Sequence, residues 1–312
     1  MRFSFFLLLI SGLLWSTLNG AYAQNRLKYR GWKVVFLDDF DTYRDMADMA
    51  AKGPWQFTPR PFRTLINNKY EDEYYDSTSV ELHNGDLHLV AQPLPEPILY
   101  RYKTNGRDTS KLLHYRSGWI ALKDDFVTKT SLGDTARWPG NRGFQHGLFE
   151  IRCKVSSGAG LWPAFWLYSG PTEIDVLEGD NPRKFSNNVI YVPQDPKQSK
   201  FLQQFYDYTE PMDLSQDFHT YSVIWTPKEV SFYLDRRLLR TVTSDQVPTY
   251  SGPAAIIANQ AVRTYADPNT WPGLAGQKRA PLIIDYIKVY KSRAALDTSL
   301  RRKAQKAKDN RK

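Results

Sequence analysis

Three carboxylates, Glu173, Asp175 and Glu178, stand close together in the stretch T-E-I-D-V-L-E-G-D at 172–180. Ile174, Val176 and Leu177 alternate with them, so the segment reads as a strand with an apolar side and an acidic side. Side chains on a strand alternate between faces, which puts Glu173 and Asp175 together and sends Glu178 the other way. A β-bulge among Val176 and Leu177 restores Glu178 to the acidic face, and bulges are common beside active sites. Unpaired charges are too costly to bury in an apolar core, so that face must look into water or a polar cleft. Two Glu flanking one bond, a nucleophile and a proton donor, is the equipment of glycoside hydrolysis with retention, which needs the carboxyl groups about 5 to 5.5 Å apart. Four strand steps of about 3.3 Å separate the two Cα atoms by roughly 13 Å, so the acidic face is expected to be concave.

With 33 acids in 312 residues, acids at these three offsets arise by chance about a third of the time in a chain this long, so the context must decide. Upstream lie F-Q-H-G-L-F-E-I-R-C-K-V at 144–155 and G-L-W-P-A-F-W-L-Y at 160–168. Downstream follow F-H-T-Y-S-V-I-W-T at 218–226 and P-L-I-I-D-Y-I-K-V-Y at 281–290. The ordered set resembles glycoside hydrolase family 16, from about Trp32 to Tyr290. The resemblance implies an all-β fold, an antiparallel β-sandwich of the concanavalin A-like β-jelly-roll kind with a concave substrate cleft. It implies Glu173 as nucleophile, Glu178 as acid/base and Asp175 as the assisting residue between them. The bulged spacing is shared by relatives that cut β-1,3-glucans and by those that cut agarose, porphyran or carrageenan. No cofactor is required on this reading. A structural calcium on the convex side is implied near Asp39 and Asp285, although Asp39 stands where the family's D-E-F motif has Glu.

The elements that must position these residues agree. Short runs of aromatic and β-branched residues are separated by turn residues, with no long amphipathic helix. A hairpin is expected about Asn84-Gly85, joining Val80 to Leu82 with Asp86 to Gln92. A dozen or so strands fit one sandwich over residues 24–290. Residues 45–68, 93–114, 123–143 and 262–280 carry Pro, Gly and charge and read as long irregular rims.

Residues 1–23 read as a secretory signal peptide, with Arg2, an apolar run from Phe3 to Trp15 and the small-x-small site Ala21-Tyr22-Ala23. A secreted, periplasmic or envelope-associated protein with no transmembrane segment after signal removal is therefore expected. The net charge of +9 is concentrated in residues 291–312, where nine Lys and Arg face two Asp. That segment reads as a basic, solvated tail, and the nearly neutral body argues against nucleic acid as a partner. Cys153 is the one cysteine, so no intrachain disulfide forms, and its place in an alternating strand reads as a buried inert thiol.

A polysaccharide is the expected partner. An exposed indole matches the apolar face of a sugar ring, and Trp138, Trp162, Trp166 and Trp271 are the candidate platforms, with Trp32, Trp119 and Trp225 assigned to packing. Sulfated galactans call for a guanidinium or ammonium in the cleft, for which Arg142, Arg152 and Arg263 are candidates. Two alternatives share the fold: a transglycosylase, and a non-catalytic carbohydrate-binding or adhesion protein.

Overall fold

The computed structural model describes residues 26–59, 64, 69–104, 107–122, 127–129, 135–137, 143–193, 201–249, 252–272 and 277–296. Two sheets face each other. The seven-stranded sheet runs in the order Leu202–Thr209, Lys184–Tyr191, Thr172–Asn181, Leu161–Tyr168, Ala255–Val262, Trp119–Leu122, Trp55–Gln56. The ten-stranded sheet runs Arg237–Thr243, Glu229–Leu234, His219–Trp225, Gly147–Lys154, Ala280–Ser292, Asp86–Thr104, Arg107–Ser117, Glu73–Tyr75, with Trp32–Asp38 added against Ala280–Ser292 and Val80–His83 against Asp86–Thr104. All described pairings are antiparallel except that of Glu73–Tyr75 with Arg107–Ser117. The all-β antiparallel sandwich expected from the sequence is the observed fold.

The core lies between the sheets because the central strands turn their apolar parity inward. Phe149, Ile151 and Cys153 from the larger sheet meet Phe165, Leu167, Ile174, Val176, Leu177 and Val189 from the smaller one. Cys153 is fully buried, and burial pushes its thiol pKa well up, in keeping with an inert packing role. The Asn84-Gly85 hairpin forms with Val80 opposite Leu89 and His83 opposite Asp86. Both turn residues have positive φ, 52° and 89°, the requirement that favours this dipeptide.

Several segments read as irregular are ordered. The 45–68 stretch holds a short helix, Met46–Lys52, capped by the Asp45 carboxylate accepting from Asp48 N at 2.8 Å, and the strand Trp55–Gln56. Residues 93–104 and 107–114 are not a loop. They belong to a long hairpin in which Asp86–Thr104 pairs with Arg107–Ser117, with a register shift between Pro93 and Ile98. Pro93, Pro95 and Pro97 fall where the pairing is interrupted, since no partner is formed by residues 94–97 and the ladder resumes at Ile98 opposite Leu113.

Candidate active site

The strand Thr172–Asn181 carries the acids, and its bulge is resolved in the registers on both sides. Asp175 pairs with Trp166 and Asn188, while Glu178 pairs with Ala164 and Ser186. Two residues, Val176 and Leu177, therefore face the single Asn187 on one neighbour, and both enter the core with Ile174. With two successive side chains turned inward, Glu173, Asp175 and Glu178 all fall on the outer face. Gly179 fixes the strand's approach to its neighbour: a Cβ there would sit 2.6 Å from Pro163 Cγ, so the G-L-W-P turn and the acid strand close tightly only with glycine at this position.

The registers lay the outer face out as rows. Tyr168, Glu173, Ile190 and Gln203 make one row; Trp166, Asp175, Asn188 and Phe205 the next; Ala164, Glu178, Ser186 and Asp207 the third. On the other flank Asn259 and Trp119 extend the third row. Asp175 is buried at 4% exposure, and the two glutamates are half-buried. Burial raises the pKa of all three. For Glu173 it is pushed up to about 7, first by burial and then by the Glu178 charge. Asp175 goes well above its ordinary value through burial and the two glutamates, opposed by a hydrogen bond from Asn188. Glu178 also rises to about 7 by burial; the Arg263 charge, the Trp162 indole and the Ser186 hydroxyl pull it down, and Asp207 pushes it up. Three such groups cannot all ionise near neutrality, so the cluster holds a proton that one member can donate while another stays charged.

Trp162 and Trp166, expected on one side, do share the outer face of their strand, where they alternate with buried Phe165 and Leu167. Trp166 Nε1 donates to Asn259 Oδ1 at 2.8 Å, and Asn259 Nδ2 to the Tyr75 hydroxyl at 2.9 Å. This network and the edge contact with Trp119 at 5.6 Å lock the indole in place. Trp162 has the Arg263 guanidinium 3.8 Å from its ring centroid, so one of its faces is already covered. Trp119, assigned to packing, is buried, yet in a cluster with Tyr75 and Trp166 on the outer side of the sheet and apart from the main core. Trp225 is in the main core, and Trp32 is half-buried against a small separate cluster of Leu27, Leu148 and Tyr290.

Trp271 must be reassigned. It is 6% exposed, its indole N–H donates to Ala159 O at 3.1 Å, and Tyr115, Leu161 and Val262 pack around it. A ring enclosed in this way offers no face to a sugar. Trp138 lies outside the described residues. Of the two aspartates expected near a calcium, Asp285 forms an ion pair with Arg152, and no group of three His, Cys, Asp or Glu side chains suited to a metal occurs among the described residues.

Reading the sequence missed the strand Leu202–Thr209 and with it Phe205 and Asp207. Phe205 is 50% exposed and lies in the row of Asp175, an open aromatic surface beside the acids. The signal was there in the aromatic-rich F-Y-D-Y, but without apolar alternation, because both faces of this edge strand are largely exposed.

A two-sheet β-sandwich with a bulged acid strand on an outer face defines a class, and comparison with known proteins places the chain in it. Residues 120–288, more than half of the chain, match the family described as Glycosyl hydrolases family 16, and the chain belongs to that family. It is 28% identical over 274 residues to the endo-1,3-1,4-beta-glycanase EglC of Rhizobium meliloti (strain 1021), an alignment covering 82% of this chain and 51% of the relative. It is 25% identical to the glucan endo-1,3-beta-glucosidase A1 of Niallia circulans, over 84% of this chain and 38% of the relative. The chain thus spans about half or less of the length of these relatives. In structure it resembles the catalytic domain of an endo-1,3-beta-glucanase (laminarinase) from Thermotoga petrophila RKU-1, with a TM-score of 0.58, 22% identity and coverage of 84% of this chain and 98% of that one. It also resembles porphyranase B from Zobellia galactanivorans, with a TM-score of 0.60, 16% identity and coverage of 83% and 92%.

Proposed function

We propose that this protein is a secreted, endo-acting glycoside hydrolase that cleaves internal β-glycosidic bonds of a polysaccharide with retention of configuration. The observation that carries the reading is the bulge at Val176 and Leu177, which gathers three half-buried or buried carboxylates onto one face. In this mechanism Glu173 attacks the anomeric carbon while Glu178, protonated, gives its proton to the departing glycosidic oxygen. Glu178, now charged, takes a proton from the water that releases the sugar from Glu173. Asp175, between them and bonded by Asn188, resists ionisation and so keeps a proton in the cluster. Glu178 is suited to the exchanging role because opposing neighbours hold it near neutrality: Arg263 and Ser186 favour its charged form, and burial and Asp207 its neutral form.

The names of the relatives favour a β-1,3- or mixed-linkage β-glucan as the first substrate to try. Export rests on the signal-like residues 1–23, which lie outside the described residues. Among the described residues no helix is long and apolar enough to cross a membrane.

The test is Glu178→Gln assayed on a panel of polysaccharides for new reducing ends. The expected loss on the preferred glycan is at least 100-fold, from removal of general acid catalysis. Unchanged release of oligosaccharides would remove Glu178 from the mechanism and leave a sugar-binding sandwich. NMR of the first-formed product tests Glu173: an inverted anomer contradicts a covalent intermediate.

A further inference from the structure

The hydrogen bonds behind Trp166 can run in one direction only. An indole N–H donates and never accepts, so the Asn259 atom 2.8 Å from it is the amide oxygen. The amide nitrogen then faces the Tyr75 hydroxyl at 2.9 Å and donates to it, and the hydroxyl must send its own hydrogen elsewhere. Tyr75 is fully buried, and the carboxyl that acts on its hydroxyl is that of Glu73, two residues back on the same face of the strand Glu73–Tyr75. Glu73 is fully buried as well. Its Oε2 accepts from the N–H of Val262 at 2.8 Å and of Asp72 at 3.3 Å. Its Oε1 is left to the Tyr75 hydroxyl and the Glu71 carboxyl, which act on it without a bond of full geometry. Burial pushes the Glu73 pKa up to about 7, opposed by the Val262 N–H, Glu71, Tyr75 and the Lys111 charge. All of these neighbours favour the carboxylate, which accepts hydrogen bonds and donates none. Glu73 therefore closes the chain and fixes its direction.

We propose that Glu73 is a positioning residue for the active face: as the final acceptor of the relay that runs from Trp166 through Asn259 and Tyr75, it orients the Asn259 amide and so holds the Trp166 ring beside the acids. Trp166 stands opposite Asp175 in the register of their strands, so the attitude of its ring shapes the wall next to the acid cluster. The functional part of the proposal rests on the glycoside hydrolase reading. Glu73 touches neither substrate nor acid cluster and acts through two intervening side chains. The consequence is specific. In Glu73→Gln the side-chain oxygen stays with the N–H groups of Val262 and Asp72, which turns the new amide nitrogen toward Tyr75. The Tyr75 hydroxyl then accepts from that nitrogen and donates to Asn259, whose amide turns its oxygen to meet it. The Asn259 nitrogen is left facing the indole N–H, two donors oppose each other, and Trp166 loses its anchor.

The probe is the Trp166 indole N–H, followed by NMR and assigned by its loss in Trp166→Phe. Its hydrogen exchange is expected to quicken about 10- to 100-fold in Glu73→Gln, as for a buried bond left unmade. The buried indoles of Trp119 and Trp225 are the internal controls and should not follow. Asn259→Asp offers an oxygen both to Trp166 and to the reversed Tyr75 hydroxyl. Added to Glu73→Gln, it should bring the exchange back to within about threefold of wild type, whereas a general loosening of the fold would not be repaired by a second buried substitution. On the glycan that wild type cuts fastest, Glu73→Gln should raise KM about tenfold and change kcat by less than about threefold. In a Trp166→Phe background, where no indole remains to be anchored, it should change neither. Where Glu73→Gln does not fold, Tyr75→Phe takes away the relay hydroxyl and should quicken the Trp166 exchange alone. Exchange unchanged in the folded variant, exchange quickened equally at all three indoles, or a loss that Asn259→Asp does not repair overturns the proposal. If wild type releases no reducing ends from any glycan, the hydrolase reading fails, and the exchange measurements still decide whether Glu73 anchors Trp166.

Discussion

Replacing Glu173 with Gln should abolish activity and at the same time make the protein more stable, but only above about neutral pH. In the fold the Glu173 carboxyl is pushed from 4.5 up to about 7 by burial and by the neighbouring Glu178 charge. Its proton is thus held more tightly in the folded than in the unfolded chain. The associated stability is complete below an unfolded value of about 4.5 and is lost as pH rises through about 7. At about 1.4 kcal/mol per unit, the full shift corresponds to about 3 kcal/mol. Proton sharing with Asp175 and Glu178 and the cost of burying an amide reduce the gain from Gln to about 1–2 kcal/mol, or a rise in Tm of about 3–6 °C for a domain of this size. Differential scanning calorimetry of both proteins at pH 4 and pH 8 measures it. The expected outcome is a gain at pH 8 that vanishes at pH 4. No gain at pH 8, or the same gain at both, would show that the carboxylates do not repel one another in the folded state.

Arg240 should matter to the site without touching it. Its Nε donates to Asn187 Oδ1 at 2.6 Å and its Nη2 to Asn187 O at 3.0 Å and Gln204 O at 2.6 Å, tying the two strands beyond the bulge to the opposite sheet. Arg240→Ala should lower unfolding stability by about 2–4 kcal/mol in urea, since these acceptors lose a charged donor; a loss under about 1 kcal/mol would show that the clamp is idle. Strand parity gives a paired test. Deleting Val176 removes the extra residue and still leaves Glu178 facing outward, so a folded protein with measurable residual hydrolysis is expected. An alanine inserted between Leu177 and Glu178 turns Glu178 toward the core and should leave no activity above that of Glu178→Gln; activity in the insertion variant near wild type would contradict the face assignment.

The acid strand was legible because its chemistry and its packing are written in one pattern. Glu173, Asp175 and Glu178 can share a face only if Val176 and Leu177 both turn inward, and two adjacent apolar residues announce that. The Asn84-Gly85 hairpin was legible through its demand for positive φ. What stayed hidden depended on partners distant in sequence. Whether a tryptophan is a platform or a packing ring is decided by what covers it, as Tyr115 and the Ala159 carbonyl cover Trp271. Whether an aspartate is free for a metal depends on a cation such as Arg152, far from Asp285 along the chain. Pro93, Pro95 and Pro97 do interrupt the pairing, but the strand resumes its ladder at Ile98, which depends on the distant partner Leu113.

The bulge also answers an energetic question, namely what holds three mutually repelling acids together. Seating Val176 and Leu177 in the core, at 2% and 0% exposure, contributes about 1.5–3 kcal/mol for each side chain. That sum matches or exceeds the few kcal/mol by which ionising the buried carboxylates is disfavoured. A regular strand through the same residues would both expose Leu177 and send Glu178 into the interior, where an unpaired carboxylate is costly. The packing of the inner face therefore dictates the outer one: the sandwich core, through two adjacent apolar residues, imposes the crowding that raises the pKa of the glutamates.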